Sequence, residues 1–326
     1  MKRIIGGIGI SLLIAALMVS GCISSSSGPA STTSSDTGGT ITISGAFALY
    51  PMMQKWAEEY NKIHPDVKIE ISAGGAGKGM MDALSGMVDL GMVSREISPD
   101  EQTQGAVYVA VTKDAVIPTI SSKNPVLSDL QSKGVKQSVF KQMFINESVK
   151  TWGDVVGRPD VTDKINLYTR SDACGAADVW AKYLGGKQED LKGIGIFGDP
   201  GLADAVKSDN LGIGFNNIGF AYDANTGKTL DGLAIVPLDQ NENRKVDPEE
   251  QVYGTRQEIV TAINTGKYPS PPARELNIVT KDKFSGATKE FVKWILTDGQ
   301  LYVEETGYIA LPKERIQEQL VKLDGN

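Results

Sequence analysis

The sequence predicts an α/β fold with a largely parallel sheet, and two observations carry the prediction. Short apolar strands alternate with helical patterns along most of the chain, and three times an apolar strand passes through Gly, Ala or Ser into the first turn of a helix. The three places are Ser44-Gly45-Ala46-Phe47, Gly74-Gly75-Ala76-Gly77-Lys78-Gly79 and Arg170-Ser171-Asp172-Ala173-Cys174-Gly175-Ala176. Such alternation lays helices over the faces of a sheet.

Taken in order, Thr40 to Ser44 reads as a strand and Pro51 to Ile63 as a helix, because proline suits a first helical turn. Val67 to Ser72 is the next strand, Gly79 to Ser85 a helix and Asp89 to Ser94 a third strand. Ala106 to Thr112 and Ala115 to Ile120 are strands interrupted by Lys113-Asp114, and Asn124-Pro125 marks a loop. Helices follow near Val126 to Ser132 and Gln137 to Phe144, then a strand-to-helix unit from Ile165 to Leu184 and strands at Ile213 to Tyr222 and Leu233 to Leu238. After Pro269, Pro271 and Pro272 the first texture returns, with a strand at Leu276 to Thr280 and a helix whose Phe291, Trp294 and Ile295 share one face, the spacing of core packing. The chain thus leaves one lobe near Lys113 and re-enters it near Leu276. Two lobes are expected, 41–112 plus 273–326 and 113–272, with two crossings as a hinge and a ligand in the cleft.

The start of the chain indicates where it works. Lys2 and Arg3 precede an apolar stretch from Ile4 to Val19, followed by Ser20-Gly21-Cys22. Residues 1–21 read as a secretory leader, and Val19-Ser20-Gly21-Cys22 resembles a lipobox that makes Cys22 the lipidated first residue. An uncleaved anchor is the competing reading, which the position of Cys22 disfavours. Residues 22–40 are Ser, Thr and Gly with few apolar side chains, the composition of a flexible tether. The expected location is the outer face of the cytoplasmic membrane.

Composition excludes several functions. The 326 residues carry 33 Lys plus Arg against 40 Asp plus Glu, a net charge of −7, so nothing draws the chain to nucleic acid and any anion must be recognised locally. With Cys22 lipidated, Cys174 is left without a disulfide partner. The single histidine, His64, precedes Pro65 as a surface turn residue. No His/Cys spacing suits zinc, and the Gly74 to Gly79 run lacks the Gly-Lys-Ser/Thr ending of a P-loop. The chain is read as a binding protein, not an enzyme.

The three glycine- and alanine-rich helix starts point to an anion. A first helical turn offers unpaired N–H groups and the positive end of the helix dipole, and small side chains let a ligand approach them. These segments, with Pro51, Trp56, Val88-Asp89-Leu90-Gly91-Met92-Val93-Ser94-Arg95, Lys150-Thr151-Trp152-Gly153-Asp154, Gly212-Ile213-Gly214-Phe215 and Gly307-Tyr308-Ile309-Ala310-Leu311-Pro312, occur in the order that resembles the phosphate-binding proteins of ABC transporters. The resemblance implies the two-lobed periplasmic-binding-protein fold of type II. It also implies a hinge-closing monomer that hands phosphate or a similar small anion to a permease and its ATPase.

Carried over residue by residue, it implies a site made of Ala46, Phe47, Gly75, Ala76, Gly77, Ser94, Arg95, Arg170, Asp172, Cys174, Gly175 and Ala176. Arg170 is the anion-binding guanidinium and Asp172 the acid that orients it. At Ala46, Ala76, Cys174 and Ala176 the family has hydroxyls, each worth roughly 1.5–3 kcal/mol as a hydrogen bond to a charged oxygen. The sequence therefore also leaves open another solute on the same scaffold, a soft or thiophilic one at Cys174 or an organic anion, and a sensor outside transport. Cys174 is read first as a small, half-buried side chain with a weak donor and alternatively as a thiol whose pKa a helix start beside Arg170 lowers; Met80, Met81, Met87 and Met92 are read as core.

A second constellation is Asp239, Asn241, Asn243, Asp247 and Glu250, spaced as positions 1, 3, 5, 9 and 12 of a loop resembling the EF-hand calcium loop. Arg244 stands where glycine makes the turn. A solvated acidic loop is the first reading and a structural calcium ion the alternative; no other cofactor is required.

Overall fold

The structure, a computed structural model, describes residues 39–325. The leader, Cys22 and all but the last two tether residues lie outside the described residues; Gly39 and Thr40 begin the first strand. Among the described residues no helix is long and apolar enough to cross a membrane.

The first region runs β1 (Gly39–Gly45), α1 (Tyr50–Ile63), β2 (Val67–Ala73), α2 (Ala76–Ser85), β3 (Leu90–Val93), α3 (Pro99–Thr103) and β4 (Ala106–Ser121). The second runs α4 (Leu127–Lys133), α5 (Gln137–Phe144), α6 (Trp152–Val156), β5 (Asn166–Arg170), α7 (Gly175–Tyr183), β6 (Ile194–Ile196), α8 (Gly198–Ser208), β7 (Gly212–Asn217), β8 (Leu233–Ile235) and α9 (Arg256–Asn264). The chain then returns through β9 (Ala273–Lys281), α10 (Gly286–Leu296) and α11 (Lys313–Gly325).

The sheet is mixed, in the order β2-β1-β3-β9-β4-β7-β5-β6, with β8 also paired to β4. Its flanks are parallel, β1 with β2 and β3, and β5 with β6 and β7. The centre is antiparallel, because β9 enters from the far end of the chain between β3 and β4. Parallel neighbours need crossover helices, and here those helices begin at the ends of β1, β2 and β5, where the three glycine- and alanine-rich segments lie.

Two hydrophobic clusters pack on this sheet. One gathers Ile43, Trp56, Met92, Val111, Ile278, Phe291 and Ile295; the other gathers Val116, Ile120, Phe140, Trp152, Trp180, Phe215 and Tyr268. β4 contributes Val109 and Val111 to the first and Ala115 to Ile117 to the second, while β9 gives Leu276 and Ile278 to the first and Ala273 to the second. These two adjacent strands carry the chain between the cores. In the second core Trp180 stacks on Phe215, with centroids 5.8 Å apart. In the first, the buried Phe291 and Trp294 meet Tyr60 edge-on, at 4.9 and 5.4 Å.

The elements differ from expectation in a few places. β4 is one strand of 16 residues, not two, because Lys113 and Asp114 pair with Glu275 and Arg274 on β9; a register shift between Ala110 and Thr112 absorbs the irregularity. α2 starts at Ala76, so the last four residues of the Gly74 to Gly79 run are helix; Gly75, at φ 90, makes the turn before it. Helix and sheet touch there backbone to backbone, and a Cβ on Gly79 would sit 2.5 Å from the Met92 carbonyl and 2.8 Å from Gly45 Cα. The segment after β7 is a 3-10 turn at Ile218–Phe220. Of the four methionines read as core, Met80 and Met92 are buried but Met81 and Met87 are exposed: α2 turns its Met80 and Ala83 side to the sheet, and Met87 lies in the turn after the helix.

Candidate anion site

The three helix starts converge. Gly77 N–H, in the first turn of α2, donates to the Ala173 carbonyl before α7 at 2.9 Å. Gly75 packs on Asp172 and Gly77 on Ala173, with Cβ atoms excluded at both. Gly175, first residue of α7, lies against Ser94, whose carbonyl would be 2.0 Å from a Cβ there. The Phe47 ring lies over Arg170, 5.6 Å from its Cζ, and meets the Phe197 ring edge-on at 5.8 Å.

Arg170 is the centre of the arrangement. Its Nε and Nη2 donate to Asp172 Oδ1 and Oδ2 at 2.8 and 2.6 Å, and its Nη1 donates to Asp199 Oδ2 at 2.5 Å. All three side chains are buried, with 0%, 6% and 1% exposure. Burial works against the guanidinium's charge, yet Asp199, Cys174 and Asp172 together hold its pKa above the usual arginine value. Asp172 also accepts from Gly198 N–H at 3.1 Å. Gln188 ties the turn after Arg170, donating to Asp172 O and accepting from Cys174 N–H.

Asp199 escaped the sequence reading. Its signal was present: Ile196-Phe197-Gly198-Asp199-Pro200 is a fourth passage from strand through glycine into helix, with Gly198 at φ 74.

The remaining expected residues divide. Ala46, Ala76, Cys174 and Ala176 line the convergence at 0–5% exposure. The N–H groups of Ala46 and Gly75 already donate to Met92 O and Gly45 O. Ser94 is buried there, but the structure does not bring Arg95 to Arg170. Arg95 turns to Glu101, held by two hydrogen bonds of 2.9 and 2.6 Å, because Glu101 sits in the first turn of α3 and caps it. Arg95 instead lines a neighbouring cavity of about 760 Å³ with Lys182, Arg274, Glu275 and Arg315.

Cys174 is a small buried side chain, and the alternative of a lowered pKa is corrected. Its thiol is pushed up to about 12 by burial, and the nearby carboxylates oppose the pull of Arg170. The sulfur caps α7, accepting from Ala177 N–H at 3.4 Å. A neutral thiol is a poor soft ligand.

In the loop from Asp239 to Glu250, Asp239 accepts from the N–H groups of Asn243 and Arg244. Asn241 and Asn243 donate to Asp247, and Glu250 accepts from the N–H groups of Gln240 and Asp247. Arg244 takes the positive φ, 62°, that glycine would have supplied. Among the described residues no group of three or more His, Cys, Asp or Glu side chains is placed to hold a metal.

Comparison with known proteins bears on the whole arrangement. A family model described as a PBP superfamily domain matches residues 30–299. The phosphate-binding protein PstS of Methanocaldococcus jannaschii is 24% identical, covering 94% of this chain and 91% of that protein. PstS of Staphylococcus epidermidis is 26% identical, with 96% and 91% covered. Among solved structures, a putative phosphate ABC transporter substrate-binding protein with bound phosphate from Clostridium perfringens superposes with a TM-score of 0.67 at 22% identity, over 84% of this chain and all of that one. An ABC-type phosphate transport receptor from Vibrio cholerae gives 0.60 at 18% identity, again over 84% and all of it.

Proposed function

We propose, on the premise that this chain belongs to the PBP (periplasmic-binding-protein) superfamily, that it is the substrate-binding lipoprotein of an ABC importer for phosphate or a related oxyanion. The observation that carries this reading is the meeting of three helix starts around the buried guanidinium of Arg170. The relatives' names and near full-length coverage support it.

In this reading the two cores are lobes, 41–112 plus 273–326 and 113–272, and β4 with β9 is the hinge. The conformation described is the closed one, with Gly77 N–H on Ala173 O and Lys182 on Glu96 at 2.9 Å across the cleft. An anion enters when the cores part, which frees the Gly77 N–H from Ala173 O and opens the space beside Ala46, Phe47, Ala76, Gly175 and Ala176. Closure then surrounds it with N–H dipoles and Arg170. Two carboxylates already balance Arg170, so the amides supply most of the attraction. Cys22 carries the lipid at the outer face of the membrane, the monomer delivers its anion to permease and ATPase, and no covalent chemistry is performed. A calcium ion in the loop from Asp239 to Glu250, as a structural element only, is the alternative in the same reading, and it requires Asp239 and Glu250 to turn from the backbone N–H groups they now accept.

Isothermal titration of the dialysed full chain with inorganic phosphate tests it. Phosphate at about a thousand times its dissociation constant adds roughly 4 kcal/mol of stability. Arg170→Met is expected to weaken binding by about a hundredfold. Absence of heat and of any melting shift with phosphate, beside a clear shift with another solute, overturns the ligand and keeps the scaffold. The four buried positions without hydroxyls are the reason to include organic anions in that comparison.

A further inference from the structure

A line of buried hydrogen bonds runs from Arg170 to the opposite core. Asp199 Oδ2 accepts from Arg170, and Asp199 Oδ1 accepts from Asn217 Nδ2 at 2.7 Å and Asn217 N–H at 3.3 Å. Asn217 Oδ1 accepts from Arg274 Nη2, and Arg274 Nε donates to the Ser94 carbonyl at 3.2 Å. Asp199, Asn217 and Ser94 are 1–2% exposed. Arg170, Asp199 and Asn217 belong to β5, α8 and β7 on the second core; Ser94 follows β3 on the first; Arg274 lies on β9, which joins them.

Arg274 engages its charged partner only loosely, as an ion pair without a hydrogen bond. Asp114 stands beside it in register on β4, yet Arg274 Nη1 lies 3.7 Å from Asp114 Oδ2, and neither atom has a hydrogen-bond partner. The guanidinium is drawn instead to two neutral acceptors, one on each core. An arginine flanked by two alternative sets of acceptors has two resting positions, and only one of them requires the cores to be together.

We propose that Asp199, Asn217 and Arg274 form a latch tying the Arg170 site to closure: Arg274 holds Ser94 and Asn217 when the cores meet and settles on Asp114 when they part. Arg274 is a positioning residue, acting on an anion through Asn217, Asp199 and Arg170. Ser94 is the element moved, since its carbonyl packs on Gly175 at the start of α7. The proposal rests on the two-lobed hinge reading given above, but not on phosphate being the ligand.

The test measures opening directly. Spin labels at Met87→Cys and Ile194→Cys, both exposed and one on each core, report the separation in detergent-solubilised full chain carrying Cys22→Ser; buried Cys174 escapes labelling. Without ligand, Arg274→Lys and Asn217→Ala are expected to lengthen the distance, and Asp114→Asn to shorten it by removing the open resting place. Affinity for inorganic phosphate is expected to fall about tenfold in Arg274→Lys, as the closed fraction falls. Distance distributions identical to the parent's, or Arg274→Lys and Asp114→Asn moving in the same direction, overturn the latch. Should Arg274→Lys not fold, the opposite signs of the other two variants decide. If phosphate leaves the parent unchanged while the ligand-free shifts remain, the latch stands and the phosphate reading falls.

Discussion

Replacing Asp114 by Asn is expected to stabilise the folded chain at neutral pH. Burial, with a smaller contribution from Asp199, raises the Asp114 carboxyl from 3.8 to about 6, against the attraction of Arg274 and Arg256 and the Ala115 N–H. A folded-state pKa above the unfolded one means that the stabilising form is the protonated one. That stability is complete below about 3.8 and is lost as pH rises through about 6. At 1.36 kcal/mol per tenfold change in proton concentration, the ionised carboxylate costs roughly 3 kcal/mol at pH 7.5. The attraction of Arg274 is already inside that figure. Asn keeps the shape without the charge, so Asp114→Asn is expected to gain about 2–3 kcal/mol at pH 7.5, roughly 3–5 °C in melting temperature, and almost nothing at pH 4. Urea unfolding of both proteins from pH 4 to 8 reads the gap. A variant less stable than its parent at pH 7.5, or a gap that does not change with pH, refutes the reasoning.

Three further outcomes are expected. Gly79→Ala drives a Cβ into the backbone of Met92 and Gly45 and should cost about 1–3 kcal/mol in urea unfolding, whereas exposed Met81→Ala should stay within about 0.5 kcal/mol; equal losses would show that α2 does not depend on that contact. Cys174, buried with its pKa near 12, should resist a thiol reagent at pH 8 in the folded chain and react on unfolding in urea. Rapid labelling of the native protein would mean that the thiol is reached without opening. Millimolar calcium is expected to raise the melting temperature of the parent over that in chelator, and to do nothing for Asp239→Asn; identical melting of the parent in both removes the ion from the loop.

Much of the fold was legible because it is local. Pro51 opening a helix and the Phe291, Trp294 and Ile295 face are matters of backbone freedom and periodicity within a few residues. The interruption read at Lys113-Asp114 failed for the opposite reason: those charges are tolerated in β4 because Glu275 and Arg274 lie opposite, about 160 residues later. Met81 is misplaced because composition does not say which side of a short helix meets the sheet, and Met87 because it falls in the turn beyond that helix. The alternative of a reactive Cys174 fails because a helix start and an arginine both lower a thiol's pKa, while the burial that outweighs them is a property of the packed site.

By itself the sequence determined where strands pass through small residues into helices, and therefore where unpaired N–H groups and an arginine stand. Those features depend on neighbours in the chain, so they survive any rearrangement of the whole. Only the tertiary structure decided what meets them: Asp199 on Arg170, Glu101 on Arg95, and Arg274 between Ser94 and Asn217. Charges buried together interact strongly because little water screens them, and which charges are buried together is settled by packing between distant segments.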